Sequence, residues 1–235
     1  ASGRFPNAAA LHASVYSTTT TVPAGTQLEF GSTIGSTIVQ LRVASSNVIG
    51  GNSQLLSFTT TTNAGGHWLI TKRSNTDREI YRNGISEASS LISNTSAYGN
   101  GNLYFFARNT ATGTPDFYST KILAFCSIGD GLTDEQVSTF YTIVQNFQTT
   151  LGRQVGVPIV ADTDAQAFLN AAVITDQTQA NAINTLVTDL KTANIWTKMK
   201  AIYPFVGGTA TTHKFNLKDP RDLDAAFRLQ FNGGW

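Results

Sequence analysis

The segment 121–153 constrains the fold more than any other part of the sequence. An apolar run, Ile122–Cys126, ends at two glycines, and a helical pattern follows at once. A short apolar run bounded by turn residues predicts a strand buried on both faces. Thr133 and Gln136 have the spacing of a capping box, which starts a helix. The apolar residues of that helix recur every three or four positions: Val137, Phe140, Tyr141, Val144, Phe147 and Leu151. The pattern predicts the closing strand and helix of a β-sandwich.

Strand-like runs separated by glycine turns fill most of the preceding sequence. The clearest is Glu79–Ser86, where Asn83 and Gly84 form the residue pair of a type I′ turn and Ile80 and Ile85 flank it. Short strands at intervals of roughly ten residues favour an antiparallel sandwich. We therefore expect a mainly β protein.

The sequence predicts three parts. Residues 1–157 form the sandwich, 158–206 a small helical connector, and 207–235 a linker and a strand that leads to, or completes, a sandwich. The strand is expected over Asp224–Phe231, where apolar and polar residues alternate. The chain opens at Ala1 without a Met and stops as this strand finishes, so we expect it to be a segment of a longer polypeptide.

Composition excludes several classes of function. Charged residues are 13% of the chain, about half the usual share, and the net charge is +1. This balance gives no electrostatic reason to expect nucleic acid as a partner. No apolar run approaches ~18 residues, so no membrane insertion is expected. The single cysteine, Cys126, excludes an intrachain disulfide, and we expect it to be buried and inert. No cofactor is expected.

Three segments resemble concanavalin A-like, laminin-G-like jelly rolls. They are Ile80–Ile85, Leu103–Ala107 and Ile122–Leu132. In that family a strand–Asn-Gly–strand hairpin, a buried strand and a late short helix recur in this order. The resemblance implies a jelly-roll sandwich.

Three further segments are similar to sandwich domains of structural proteins from tailed bacteriophages: Leu132–Arg153, Ile195–Gly207 and Asn216–Ala226. The likeness implies a virion component, such as a tail fibre, head fibre or capsid decoration. It implies other virion proteins as partners, assembly as a homo-oligomer, and a virion or extracellular location.

Catalytic residues are not expected. Glucanases that share the jelly-roll fold carry paired carboxylates on one strand, and retaining hydrolysis needs the two carboxyl groups about 5 Å apart. Those glucanases space their carboxylates as Glu-x-Asp-x-x-Glu or close to it, and no such triplet occurs here. Asp130, Asp134 and Glu135 cluster instead at a turn and a first helical turn, where negative charge complements the helix dipole.

A metal site is not expected either. Asp219, Asp222 and Asp224 place three carboxylates near a turn and are weak calcium candidates. Lys218 and Arg221 lie among them and favour local ion pairs.

Five residues could bind a glycan by residue type, because aromatic faces and Asn or Arg side chains on sandwich loops suit sugars: Trp68, Tyr81, Arg82, Asn83 and Tyr98. Each also has a structural interpretation, since Trp68 and Tyr81 suit a core and Asn83 suits the turn.

The favoured hypothesis is a non-enzymatic virion structural or adhesion protein. The first alternative is a cell-surface glycan-binding module, which would add a host-surface glycan as partner. The second is a polysaccharide-cleaving enzyme, which would require the fold to bring paired carboxylates together in a concave groove.

Overall fold

The structure is a computed structural model that describes residues 10–34, 37–44, 47–52, 54–59, 63–93, 102–110 and 112–232. It divides into two compact units, Ala1–Val144 and Gln145–Trp235, which we call the sandwich unit and the helical unit. The predicted division at 157/158 and 206/207 stays a prediction.

The sandwich unit contains the strands β1 Leu11–Ser17, β2 Phe30–Ile34, β3 Thr37–Ala44, β4 Asn47–Asn52, β5 Gln54–Thr59, β6 Gly66–Ser74, β7 Asp77–Arg82, β8 Ile85–Ser90, β9 Tyr104–Phe105, β10 Arg108–Asn109, β11 Pro115–Asp116 and β12 Leu123–Gly129. The helices are α1 Asp134–Thr150, α2 Thr163–Ala172, α3 Gln177–Thr192 and α4 Ala210–His213, with single 3₁₀ turns at Trp196–Lys198 and Asp224–Ala226.

Two sheets pack face to face in the sandwich unit, which confirms the predicted mainly β sandwich. The first sheet has the order β12-β1-β6-β7-β8, and the second has the order β11-β10-β2-β3-β4-β5, with β9 paired to β2. Pairing is antiparallel throughout the described ladders except between β10 and β2. One cluster of buried side chains joins both sheets, including Val15 and Trp68 from the first and Phe30 and Leu41 from the second. Alternate residues of each strand therefore face a shared core.

The other face of the first sheet packs against the start of α1. Leu69, Tyr81 and Val137 form a small buried cluster there. The predicted capping box is present, since Thr133 N donates to Gln136 Oε1 at 2.9 Å and Gln136 N donates to Thr133 Oγ1 at 3.3 Å. The predicted hairpin is also present, with Arg82 paired to Ile85 across the turn.

The prediction that Ile122–Cys126 is buried on both faces is wrong. β12 is an edge strand that pairs only with β1 among the described strands. Ile122 is 68% exposed and Ile128 is 43% exposed, and Cys126 is exposed as well. An apolar run cannot by itself distinguish a central strand from an edge strand whose outward residues remain in solvent.

The helical unit has a core of its own. Phe168 and Leu169 of α2 pack with Ile183 and Val187 of α3. Asp162 caps α2 by accepting hydrogen bonds from Asp164 N and Ala165 N. The core also includes Phe215 and Leu217, so part of the predicted linker is packed with the helices.

The strand predicted over Asp224–Phe231 is absent. The structure has a 3₁₀ turn at Asp224–Ala226, and Phe227 ends it with φ of 59°. Asn216 Nδ2 donates to Ala226 O at 3.0 Å, which holds this turn against the preceding loop. A strand needs a partner for its backbone groups, and an alternating pattern does not supply one.

No helix in the described part of the chain is long and apolar enough to cross a membrane.

Candidate functional site

Trp68 and Arg82, two of the predicted sugar-binding residues, contact each other. The Trp68 side chain is fully buried, and its Nε1 donates to Ala64 O at 2.9 Å. The Arg82 guanidinium carbon lies 5.1 Å from the centroid of the Trp68 ring, and Arg82 Nη2 donates to Gly65 O at 3.1 Å. Both side chains therefore have structural roles in the sandwich.

Tyr81 and Asn83 are also engaged within the fold. Tyr81 is 3% exposed. Asn83 has φ of 51°, and its Oδ1 accepts from His67 N at 2.9 Å, which ties the turn to β6. Tyr98 lies outside the described residues. That these five residues bind a glycan stays a prediction.

An arginine gathers three carboxylates where β6, β7 and α1 meet. Arg73 pairs with Asp77 at 2.9 Å, with Glu79 at 3.0 Å and with Asp134. The Tyr81 hydroxyl lies 2.5 Å from Glu79 Oε2 and 2.6 Å from Asp134 Oδ1. Burial, followed by hydrogen bonding to the two carboxylates, raises the pKa of Tyr81, so this phenol keeps its proton.

This network bears on the polysaccharide-cleaving alternative, because Glu79 and Asp134 are brought close together. Both carboxylates pair with the same nitrogen of Arg73 and contact the same tyrosine hydroxyl. A retaining hydrolase needs one carboxyl group free to protonate a leaving group and the other free to attack. Here both groups are already paired, and Arg73 Nε also donates to Leu132 O at 2.7 Å. The arrangement fastens the start of α1 to the sheet.

A serine and a histidine meet on the face of β1 and β12. His12 Nδ1 lies 2.6 Å from Asp130 O, so this nitrogen carries the proton, and Nε2 accepts from Ser127 Oγ at 3.2 Å. The pKa of His12 is lowered, with burial as the main cause. The ring lies under α1, edge-on to Phe140 at 5.9 Å. The contacts satisfy buried polar atoms, including the Ser14 hydroxyl, 2.7 Å from Ser127 Oγ.

The three calcium candidates form ion pairs, but of the two cations that the sequence indicated only Arg221 is among the partners. Asp219 pairs with Arg221, Asp222 with Lys214 and Arg228, and Asp224 with Arg228. The Lys and Arg side chains donate hydrogen bonds to the carboxylate oxygens, and these bonds lower the pKa of each of the three aspartates. Among the described residues no group of three or more metal-binding side chains comes together.

Four aromatic side chains, three of them exposed and Tyr104 half-buried, lie on β9, β11 and the residues that follow them. We call them the aromatic patch: Tyr104, Phe106, Phe117 and Tyr118. Phe105 points inward and packs edge-on against Phe30 at 5.7 Å. Phe106 is 46% exposed, Phe117 38% and Tyr118 61%. Phe105 is thus partly buried against the core, while Phe106, Phe117 and Tyr118 are exposed.

The backbone that presents these rings is strained. Phe106 has φ of 66° and Phe117 has φ of 48°, a region that bulky residues rarely adopt. Hydrogen bonds hold both residues there. Phe106 N donates to Glu29 O at 2.8 Å, and Phe117 O accepts from Leu28 N at 3.0 Å. The segment leading into β2 therefore fixes the direction of both phenylalanines.

An ion pair borders the aromatic patch. Arg108 binds Asp116 through two hydrogen bonds of 2.8 and 2.6 Å, and its guanidinium carbon lies 4.3 Å from the Phe117 ring centroid. The bond to Asp116 raises the pKa of Arg108. Planar polar groups thus stand beside apolar rings, an arrangement suited to a ligand with both apolar and hydrogen-bonding faces.

The sequence interpretation missed the aromatic patch. Leu103–Ala107 entered the sequence analysis only as a segment of the jelly-roll resemblance. A left-handed conformation at phenylalanine leaves no composition signal, since glycine and asparagine are the usual residues there. The one available signal was the density of aromatic residues over 104–118.

Among solved structures the chain has distant likenesses to toxin binding domains. No protein-family model matches the sequence, and no curated protein matches it. The binding domain of Paraclostridial Mosquitocidal Protein 1 is 12% identical over 59% of this chain and 38% of that chain, with a TM-score of 0.42. The botulinum neurotoxin serotype D binding domain is 15% identical over 58% of this chain and 36% of that chain, with a TM-score of 0.41. The botulinum neurotoxin DC binding domain, solved with rat synaptotagmin II, is 12% identical over 58% and 36%, with a TM-score of 0.40. The chain therefore covers less than two fifths of these structures, and a likeness at this level carries no function from those proteins to this one.

Proposed function

We propose that this chain is a non-catalytic binding module that engages a cell-surface carbohydrate through the aromatic patch. The combination that carries the proposal is a polar ion pair, Arg108–Asp116, beside two exposed rings, Phe106 and Phe117, whose backbones are held at positive φ. Such a conformation costs about 1–2 kcal/mol per residue. Strain of this kind concentrates at binding sites, where the surrounding structure sustains it.

The chemistry of the patch fits a sugar ring. The C–H face of a pyranose is apolar and gains from covering an aromatic ring, because both surfaces leave water. Sugar hydroxyls can bond to the Arg108 guanidinium and to the Asp116 carboxylate, which are 26% and 36% exposed. The pairing of Glu79 and Asp134 with Arg73 supports the non-catalytic part of the proposal.

A glycan array probed with the full chain tests the proposal. We expect Phe117→Ala to weaken binding to any retained glycan at least tenfold, because truncating a central aromatic contact commonly removes more than about 1.4 kcal/mol. Phe205→Ala is the matched control, since Phe205 lies in the helical unit, is 57% exposed and also has positive φ, at 51°. Equal binding by Phe117→Ala and the unmodified chain would contradict the proposal.

We propose further that the module serves a virion-borne adhesion protein, a tail fibre, head fibre or capsid decoration of jelly-roll type. The resemblance of Leu132–Arg153 and Ile195–Gly207 to phage sandwich domains supports this. Weak individual contacts would then act together through copy number. Native mass spectrometry of the full chain should show a homo-oligomer, and particle images should show a symmetric array. A strictly monomeric chain that is absent from purified particles would refute this part.

A further inference from the structure

The helical unit contains a groove that is separate in sequence from the aromatic patch. It lies between the last turns of α1, residues 159–161, and the first half of α3, and has a volume of about 490 Å³. Ligand pockets in proteins usually measure roughly 300–1,000 Å³. The groove is therefore large enough for a small organic ligand.

The lining is polar and uncharged. The described residues that line the groove include the amides Asn146, Gln177, Asn181 and Asn184 and the hydroxyls Thr149 and Thr150, with Ile159, Val160 and Ala161 as the apolar part. None of these residues is charged. A charged ligand would therefore lose its hydration and gain no opposite charge in return. Amides and hydroxyls instead match a ligand that both donates and accepts hydrogen bonds.

Two lining side chains carry buried polar atoms without a partner. Thr149 is 9% exposed, and its Oγ1 makes no hydrogen bond in the described structure. Gln177 donates through Nε2 to Asn181 Oδ1 at 2.8 Å, while its Oε1 is buried and unpaired. Buried polar atoms in folded proteins nearly always have partners. Both residues line the groove, so these two atoms are the polar groups next to it whose hydrogen bonding is incomplete.

A third amide is positioned by the fold. Asn184 Oδ1 accepts from Asp162 N at 3.0 Å, next to the cap of α2. This bond fixes the amide plane and leaves Nδ2 as a donor at the groove. A fixed donor, an unpaired acceptor and an unpaired hydroxyl therefore line one cavity together with an apolar wall.

We infer that this groove binds a neutral sugar residue. A pyranose has hydroxyls that donate and accept, and it has an apolar C–H face suited to Ile159 and Val160. The absence of charge among the lining residues favours neutral sugars over uronic or sialic acids. The inference stands independently of the aromatic patch, because no residue is shared between the two sites.

Saturation-transfer NMR with the full chain tests this inference. The probes are the methyl glycosides of glucose, galactose, mannose and N-acetylglucosamine, with methyl glucuronide as the charged comparison. We expect at least one neutral glycoside to bind, and glucuronide to bind at least tenfold more weakly. Binding by glucuronide as tight as by the neutral probes would overturn the charge argument.

Variants locate the binding. Thr149→Val keeps the shape of the side chain and removes the unpaired hydroxyl, and Gln177→Leu removes the unpaired acceptor. Each variant should lower the affinity for the glycoside at least tenfold. Thr188→Val makes the same chemical change at an exposed position of α3 outside the groove and should have no effect.

The two sites are distinguishable in the same experiment. Phe117→Ala should leave glycoside binding to the groove unchanged, and Thr149→Val should leave array binding by the aromatic patch unchanged. If none of the glycosides binds, or if Thr149→Val binds them as the unmodified chain does, the groove is not a sugar site. Circular dichroism would confirm that each variant is folded.

Discussion

One buried histidine links the stability of the sandwich unit to pH. His67 is 1% exposed, with its ring stacked on Tyr141 and edge-on to Phe140 at 5.3 Å. Burial, with a smaller contribution from the charge of His12, lowers the pKa of His67 from 6.5 to about 3. The folded protein therefore keeps this ring neutral at a pH where the unfolded chain protonates it.

The sign of the resulting pH dependence follows from proton linkage. Below pH 6.5 the unfolded state binds more protons at this site, so stability falls as the pH drops from 6.5 towards 3, by about 1.4 kcal/mol per pH unit. We expect His67→Phe to remove the part of this slope that His67 contributes. The measurement is urea denaturation at pH 4, 5, 6 and 8, with the pH 8 value as reference. The pKa of His12 is also lowered, so a smaller slope should remain; an unchanged slope would contradict the assignment.

A second buried group at the residue scale is an ion pair inside the sandwich. Lys121 contacts Glu29, and both side chains are 1% exposed. Lys121 also donates to Val43 O, and Glu29 Oε2 accepts from Val43 N at 2.9 Å. Burial raises the pKa of Glu29, because the ionised form loses its water.

Removing one member of this pair should be more harmful than removing both charges. We expect Lys121→Met to lower the free energy of unfolding by about 3–5 kcal/mol, since it leaves Glu29 buried without a counter-charge. The double variant Lys121→Met with Glu29→Gln should recover at least half of that loss, because glutamine can still accept from Val43 N. Chemical denaturation at pH 7 measures both. A double variant no more stable than Lys121→Met would show that the charge is not the cause.

At the scale of elements, the β7–β8 hairpin depends on Asn83 in two ways. The residue adopts a left-handed backbone, and its side chain accepts from His67 N. Asn83→Gly keeps the backbone accessible and removes only the side-chain bond, which should cost about 1 kcal/mol. Asn83→Ala adds the left-handed strain and should cost about 1–2 kcal/mol more. Thermal unfolding of the two variants separates the contributions, and equal losses would mean that the strain is negligible.

Elements with a local cause could be predicted from sequence. The Asn83–Gly84 turn and the Thr133–Gln136 capping box depend on residues within four positions of each other, and both are present. The caps of α2 and α3 also have a local cause, because Asp162 and Asp176 accept hydrogen bonds from backbone N–H groups of the first helical turn.

Features with a distant cause could not be predicted. Whether β12 is central or at an edge depends on strand order, which relates residues 11–17 to residues 123–129. The positive φ of Phe106 and Phe117 depends on hydrogen bonds with residues 28 and 29, which directly precede β2. The groove likewise combines side chains from α1 and α3, which are far apart in the sequence, so the sequence gives no sign that they are close in the fold.

At the scale of the whole molecule, each unit has its own buried core. Among the described residues, the cluster around Trp68 and the cluster around Phe168 have no residue in common. This matters for testing function, because Trp68→Ala would act on the sandwich core as a whole, at a cost of about 3–5 kcal/mol. A loss of glycan binding in that variant would indicate unfolding rather than a missing contact. Phe117→Ala avoids this problem, because Phe117 is 38% exposed and lies outside the core cluster.

Phe168→Ala tests whether the two cores respond separately. Phe168 is 1% exposed, so its truncation should lower the stability of the helical unit by about 3–5 kcal/mol. Hydrogen exchange should then show faster exchange of amides in α2 and α3, while amides of β1 and β6 keep their protection. Glycoside binding to the groove should weaken with it, and array binding through the aromatic patch should remain. If protection fell equally in β1 and β6, the two cores would form one cooperative folding unit, and variants of one site could no longer be interpreted without reference to the other.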